Sequence, residues 1–128
     1  MFHIKPERGF TLIEILVTVF ILGVMVALFT AALEVASATR VARHEDLALK
    51  IANLEMETLR GLGYDALPAS GAFSDSLLSA LPSSSASTSI TDFNAKTKKV
   101  IVGVGWREES GNRVISLTTL VTQIGGLP

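Results

Sequence analysis

The sequence predicts an α+β chain. A long N-terminal α-helix, transmembrane and then amphipathic, packs on a small antiparallel β-sheet. Three observations predict it. Residues Phe10 to Leu33 are a run of 24 residues with one charge, Glu14. Residues 34 to 60 contain no Gly or Pro and carry apolar residues at helical spacing. From Lys99 onward the pattern switches to period two. Four segments follow: a leader at 1–9, a membrane and assembly helix at 10–33, its amphipathic continuation at 34–60, and a loop with a small sheet at 61–128.

As a helix, the apolar run is roughly 36 Å long at 1.5 Å per residue, enough for a hydrocarbon core of about 30 Å. Lys5 and Arg8 precede it, opposed only by Glu7, whereas Arg40 and Arg43 beyond it are balanced by Glu34, Glu45 and Asp46. That asymmetry places the N-terminus inside and the C-terminal domain outside. A carboxylate at the bilayer centre costs about 2.5–3.5 kcal/mol on insertion scales, so Glu14 needs a partner. A cut between Gly9 and Phe10 makes one, an α-ammonium at i to Glu14 at i+4, favoured by the positive end of the helix dipole. The same groups can pair between neighbouring helices and set their stagger. The alternative is a Glu that reaches back to the interface of a lone membrane anchor. An ordinary secretory signal has an apolar core of about 7–15 residues; this run is longer, and a cut near Ala38 would release a soluble exported domain. Gly23 serves close packing or is simply a common membrane-helix residue.

Met1 to Gly9 followed by Phe10-Thr11-Leu12-Ile13-Glu14 resembles the class III signal and mature N-terminus of type IV pilin-like proteins. The family includes pilins, minor pilins, and the pseudopilins of type II secretion and DNA-uptake machines. The resemblance implies cleavage by prepilin peptidase after Gly9, N-methylation of Phe10 and filament assembly guided by Glu14. It implies membrane lipid before assembly, then other pilin or pseudopilin subunits and an inner-membrane assembly platform as partners. Many major pilins carry a Pro where this chain has Ala31, so no proline kink is expected and a minor subunit fits better. Some pilins staple their C-terminal region with a disulfide; this chain has no Cys.

Along residues 34–60, Leu49, Ala52, Met56 and Leu59 form one stripe and Leu47, Ile51 and Leu54 a second. Arg43, Asp46, Lys50, Glu57 and Arg60 fill the remaining face. Gly61 and Gly63 end the helix. Residues 64–89 read as the loose part, punctuated by Pro68, Gly71 and Pro82, with a short helix at Asp75–Leu81. The polar run Ser83–Ser89 reads as a surface loop unable to bury apolar area. Val100, Val102, Val104 and Trp106 then share one strand face, opposite Ile101, Gly103, Gly105 and Arg107. Glu108–Asn112 reads as a turn using Gly111, and Arg113–Ile124 returns with Ile115, Leu117, Thr119 and Val121 on one face. Ser89–Phe93 adds a third strand. The Val/Trp face is expected on the Leu49–Leu59 stripe. Gly103 and Gly105 thin the opposite face, by tolerance of Gly or to let a surface approach. The Lys98-Lys99-Val100-x-Val-x-Val-x-Trp106 strand, polar turn and Leu/Thr-rich closing strand resemble small minor-pilin or minor-pseudopilin subunits.

Composition narrows the chemistry. Mean hydropathy is +0.47, and the first third accounts for the excess. With a net charge of −1, no nucleic-acid footprint covers the chain. Lys96, Lys98 and Lys99 form a small solubilising patch, with DNA contact the exception in a DNA-uptake pilus. His3 and His44 are the histidines, and no metal-ligand spacing, phosphate loop or cofactor motif appears. His44, Glu45 and Asp46 read as a solvated face. The chain is therefore read as a structural filament subunit rather than an enzyme, without cofactors. A single-pass anchor displaying a small binding or sensing domain is the rival, and a secreted enzyme cut after Leu33 the third reading.

Overall fold

The computed structural model describes residues 2–4 and 8–123, and the chain divides into two units, residues 1–39 and 40–128. Helix α1 runs Leu12–Leu62. Strands β1 (Gly71–Ala72), β2 (Ser85–Asn94), β3 (Thr97–Glu108) and β4 (Gly111–Thr122) follow. A 3-10 turn at Ser76–Ala80 lies between β1 and β2. The architecture is α+β and pilin-like: a long N-terminal helix with a four-stranded antiparallel sheet, as the sequence predicts.

In the first unit every described residue is exposed. Its helical segment is unbroken because no proline interrupts it. Hydroxyls inside the apolar run are satisfied locally: Thr18 Oγ1 donates to the Glu14 carbonyl at 2.8 Å and Thr30 Oγ1 to the Ala27 carbonyl at 2.9 Å. Such back-bonding removes the cost of carrying a bare hydroxyl into an apolar phase.

In the second unit, α1 from Arg40 lays a stripe on the sheet. Ala48, Ile51, Ala52, Met56 and Leu59 are its buried residues. They join Val100, Val102, Val104 and Trp106 of β3, Ala86 of β2, Val121 of β4 and Leu81 in one core. Full burial of a Val, Leu or Ile stabilises by about 1.5–3 kcal/mol. The expected stripes are corrected in part: Leu49 is 39% and Leu54 43% exposed, because the buried face is centred on Ala48, Ile51 and Ala52. Gly63, at φ +77°, ends the helix with its N–H on the Arg60 carbonyl at 3.3 Å, while Gly61 stays inside the last turn.

The sheet order is β1-β2-β3-β4. β3 and β4 meet with Glu108 opposite Gly111, so the turn is only Glu109-Ser110, and Gly111 takes φ +130°. Glu108 and Asn112, expected in the turn, belong to the strands. The expected end of this strand at Ile124 lies outside the described residues, as do Met1, Lys5, Pro6 and Glu7 of the leader. Asn94 Oδ1 accepts the Lys96 N–H at 2.9 Å and tightens the β2–β3 turn. Lys98 Nζ sits 4.8 Å from the Tyr64 ring centroid, so one lysine of the patch is packed.

The serine-rich run overturns its expectation as a loop. Ser85–Ser89 opens β2, and Ala86 and Thr88 are buried. Small side chains fit there because Ser85 and Ser87 lie opposite Gly105 and Gly103. A Cβ on Gly105 would come within 3.1 Å of Ser85 Oγ. The glycines therefore accommodate β2. Asp75 caps the 3-10 turn by accepting the Leu77 N–H at 2.8 Å.

The corrected stripe makes a discriminating prediction. Ile51→Ala lowers the unfolding free energy by about 2–5 kcal/mol. Leu49→Ala changes it by about 0.5 kcal/mol or less. Thermal melts of the detergent-solubilised full chain, followed by Trp106 fluorescence, measure both.

Candidate functional site

The N-terminal site is built around the first turn of α1. Thr11 precedes the first helical residue, Leu12. Its hydroxyl accepts the Glu14 N–H at 3.3 Å, and its carbonyl accepts the Ile15 N–H at 3.1 Å. Thr11 is therefore the N-cap and Glu14 the third helical residue, which is the spacing of a capping box. A negative side chain there also faces the positive helix terminus.

This arrangement adjusts the expected one. Gly9 and Phe10 lie before the helix and are exposed. Phe10 is thus not within the same helix as Glu14 in the uncut chain. The Gly9–Phe10 peptide bond joins two exposed residues ahead of the helix, which starts at Leu12. Glu14 is exposed, and its side chain meets no cation among the described residues. Sequence reasoning quoted Thr11 but missed its capping role; the Thr-x-x-Glu spacing was the available signal. The helix that starts here is long and apolar enough to cross a membrane, and none of its apolar window is buried.

A second cluster lies wholly in the residue 40–128 unit. Glu108 ends β3 on the Val/Trp face and is 8% exposed. Its Oε1 accepts the Trp106 indole N–H at 2.8 Å and lies 2.5 Å from His44 Nδ1 on α1. The hydrogen bond to His44 holds the Glu108 carboxyl below its ordinary value. Burial opposes that shift, while the Trp106 N–H and the charges of His44 and Arg40 add to it. Nearby, Arg40 meets Glu109 at 3.2 Å and Arg113 meets Glu45 at 3.1 Å. Both pairs are exposed and contribute little.

His44 is therefore not on a solvated face: with Glu108 it clasps the end of β3 to the helix, while Glu45 makes only an exposed pair with Arg113 and Asp46 is exposed. Period-two counting extended past Trp106 would have placed Glu108 on the buried face. A groove of about 490 Å³ opens beside this clasp, lined by Arg40, His44, Ser79, Pro82, Arg107 and Glu108 among others. Ser79 donates its hydroxyl to the Ser76 carbonyl at 2.8 Å rather than to His44. Among the described residues, no group of three or more His, Asp or Glu gathers to hold a metal ion.

Residues 4–30 match the prokaryotic N-terminal methylation motif. No curated protein and no solved structure matches the chain.

The clasp has a pH signature. Glu108 titrates lower when folded than when unfolded, so its contribution is complete above the unfolded value and is lost as pH falls through the lower folded one. Melting of the full chain should therefore drop on the acid side, below the ordinary Glu value of 4.5. Glu108→Gln should flatten that decline in a pH series of thermal melts.

Proposed function

We propose that this chain, a type IV pilin-like prepilin by its N-terminal methylation motif, serves as a minor structural subunit of a pilus-like filament. The family is structural rather than enzymatic. The motif, supported by an entirely exposed apolar helix starting just past the cut site, carries the reading.

In this reading the precursor inserts with its leader on the cytoplasmic side and residues 34–128 outside. Prepilin peptidase cuts after Gly9 and methylates Phe10. Before assembly, lipid covers the exposed helix. On assembly, the helices of other subunits replace lipid, delivered through an inner-membrane platform.

Cleavage does two electrostatic things at once. It removes Arg8 and the rest of the leader, and it places an ammonium beside the capped first turn. The Glu14 side chain is exposed and meets no cation among the described residues, so its carboxylate is open to a cation from outside its own turn. The nearest such cation in a stack of parallel helices is the Phe10 amine of the next subunit. An unpaired charge among apolar helices is costly, so only the stagger that pairs them is stable.

Ala31, which leaves α1 without a proline, and the small β-domain support the minor-subunit reading. A pseudopilin of a secretion machine has the same parts; neighbouring genes distinguish the two.

Two measurements test the proposal. The mature form recovered from its host should begin with N-methylated Phe10 by mass spectrometry, and a mature form beginning at Met1 contradicts it. Glu14→Val should insert normally yet fail to enter filaments. Removing one member of a buried pair costs about 3–5 kcal/mol, so incorporation should fall by about a hundredfold or more. Equal incorporation favours a membrane-anchored domain that does not polymerise.

A further inference from the structure

The tip of the β3–β4 hairpin stands apart from the rest of the sheet. β2 reaches β3 only as far as Ser85, opposite Gly105. Beyond that point β3 and β4 continue as a two-stranded ribbon, with Arg107 opposite Asn112 and Glu108 opposite Gly111. The Arg107 N–H ties its base to the Pro82 carbonyl at 2.9 Å. Past Trp106 the ribbon is exposed at Arg107 and from Glu109 to Val114, and Glu108 is its one buried residue.

The helix stretch that the ribbon meets is equally bare. From Arg40 to Asp46 no residue is buried, and the buried stripe starts at Ala48. No residue from Arg40 to Asp46, or from Arg107 to Val114, belongs to the apolar core. Charged pairs join the two stretches instead: Arg40 with Glu109, His44 with Glu108 and Glu45 with Arg113.

Two of these pairs are weak. The Arg40 and Glu109 side chains are 54% and 88% exposed, and those of Arg113 and Glu45 45% each, so water and salt replace them at little cost. His44 with Glu108 is the shielded contact. The groove beside it has Arg40 and His44 on its helix wall and Arg107, Glu108 and Glu109 on its ribbon wall. The ribbon therefore borders open space and has room to move.

We propose that the hairpin tip is a flap, latched to α1 by these pairs, which opens and re-closes over the groove while the core stays shut. Opening breaks charged contacts that water partly replaces. Parting the Ala48–Leu59 stripe from Val100, Val102 and Val104 would instead expose apolar area, for which water is no substitute. Proteins open locally where apolar contacts are few and backbone bonds face solvent, and a two-stranded ribbon without packing is marginal in water. The tip meets both conditions, and the latch is what holds it down. The flap lies wholly within residues 40–128 and holds whether or not the chain enters a filament.

The chain has one Trp, and its indole N–H donates to Glu108, so hydrogen exchange of that proton reads the flap directly. NMR of the detergent-solubilised full chain at one pH compares it with the Val102 amide, in the middle of the sheet. Corrected for intrinsic rates, the indole proton should exchange at least tenfold faster. Low urea should leave its rate unchanged while raising that of Val102. Ile51→Ala weakens the core alone, so it should speed Val102 at least tenfold and leave the indole proton as it was. His44→Leu takes one donor from Glu108 and should speed the indole proton about tenfold or more. A lock acts in the other direction. Arg40→Cys with Glu109→Cys, joined by a short thiol crosslinker in a chain without native Cys, should slow the indole proton to the Val102 rate. Indole exchange that follows Val102 in urea or in Ile51→Ala would show that the tip leaves only when the domain unfolds, and would overturn the proposal. So would indole exchange that the crosslink does not slow.

Discussion

A long apolar helical surface whose described residues are all exposed governs this molecule. From Leu12 to Thr39 every residue is exposed, and the side chains there are mostly Leu, Ile, Val, Phe and Ala. At about 25 cal/mol per Å² of apolar surface, such a surface in water is untenable beside a net stability of about 5–15 kcal/mol for a whole domain. Lipid or other apolar helices are environments that suit such a helix, which is long and apolar enough to cross a membrane. Those two environments differ little in apolar character, so moving between them costs little through the hydrophobic effect. What distinguishes them is charge. Glu14 is the one acid in the run, held at the helix start by the Thr11 cap. Lipid offers it only an interface to reach, whereas in the proposed filament a neighbouring subunit would offer an ammonium.

The β-domain solves a separate problem. A hairpin alone is marginal in water, and β3–β4 is stabilised by the helix face from Ala48 to Leu59 and by the clasp at its tip. Glu108 contributes there because it is doubly bonded, by Trp106 and His44. Removing one partner would leave a buried carboxylate short of hydrogen bonds.

Most of this was legible before any coordinates, for identifiable reasons. The helix announces itself by length and by the absence of Gly or Pro from 34 to 60, and β3 by strict alternation from Val100 to Trp106. Three misreadings share a cause. Ser83–Ser89 was judged by polarity, yet small polar residues fit a strand whose partner carries Gly103 and Gly105. Glu108 and His44 were judged by charge, yet each lies on the buried side and satisfies the other. Leu49 and Leu54 were judged by hydrophobicity, yet the stripe that meets the sheet is set by Ala48, Ile51 and Ala52, which are fully buried. For the serine run, His44 and the leucines, tertiary pairing invisible to local composition decides the outcome, whereas period-two counting past Trp106 already points Glu108 to the buried face. Thr11 is different: its Thr-x-x-Glu spacing is wholly local and was open to reading.

The central claim is that proteolysis creates the cation that pairs with Glu14 in the assembled state. Solid-state NMR can measure the distance from a 15N-labelled Phe10 amine to the 13C-labelled Glu14 side-chain carboxyl carbon in assembled material. Mixing separately labelled subunits reports only contacts between chains. The account predicts a between-chain separation of about 4 Å, as in a direct ion pair. A Glu14 carboxyl far from every neighbour's amine in well-ordered filaments would contradict it.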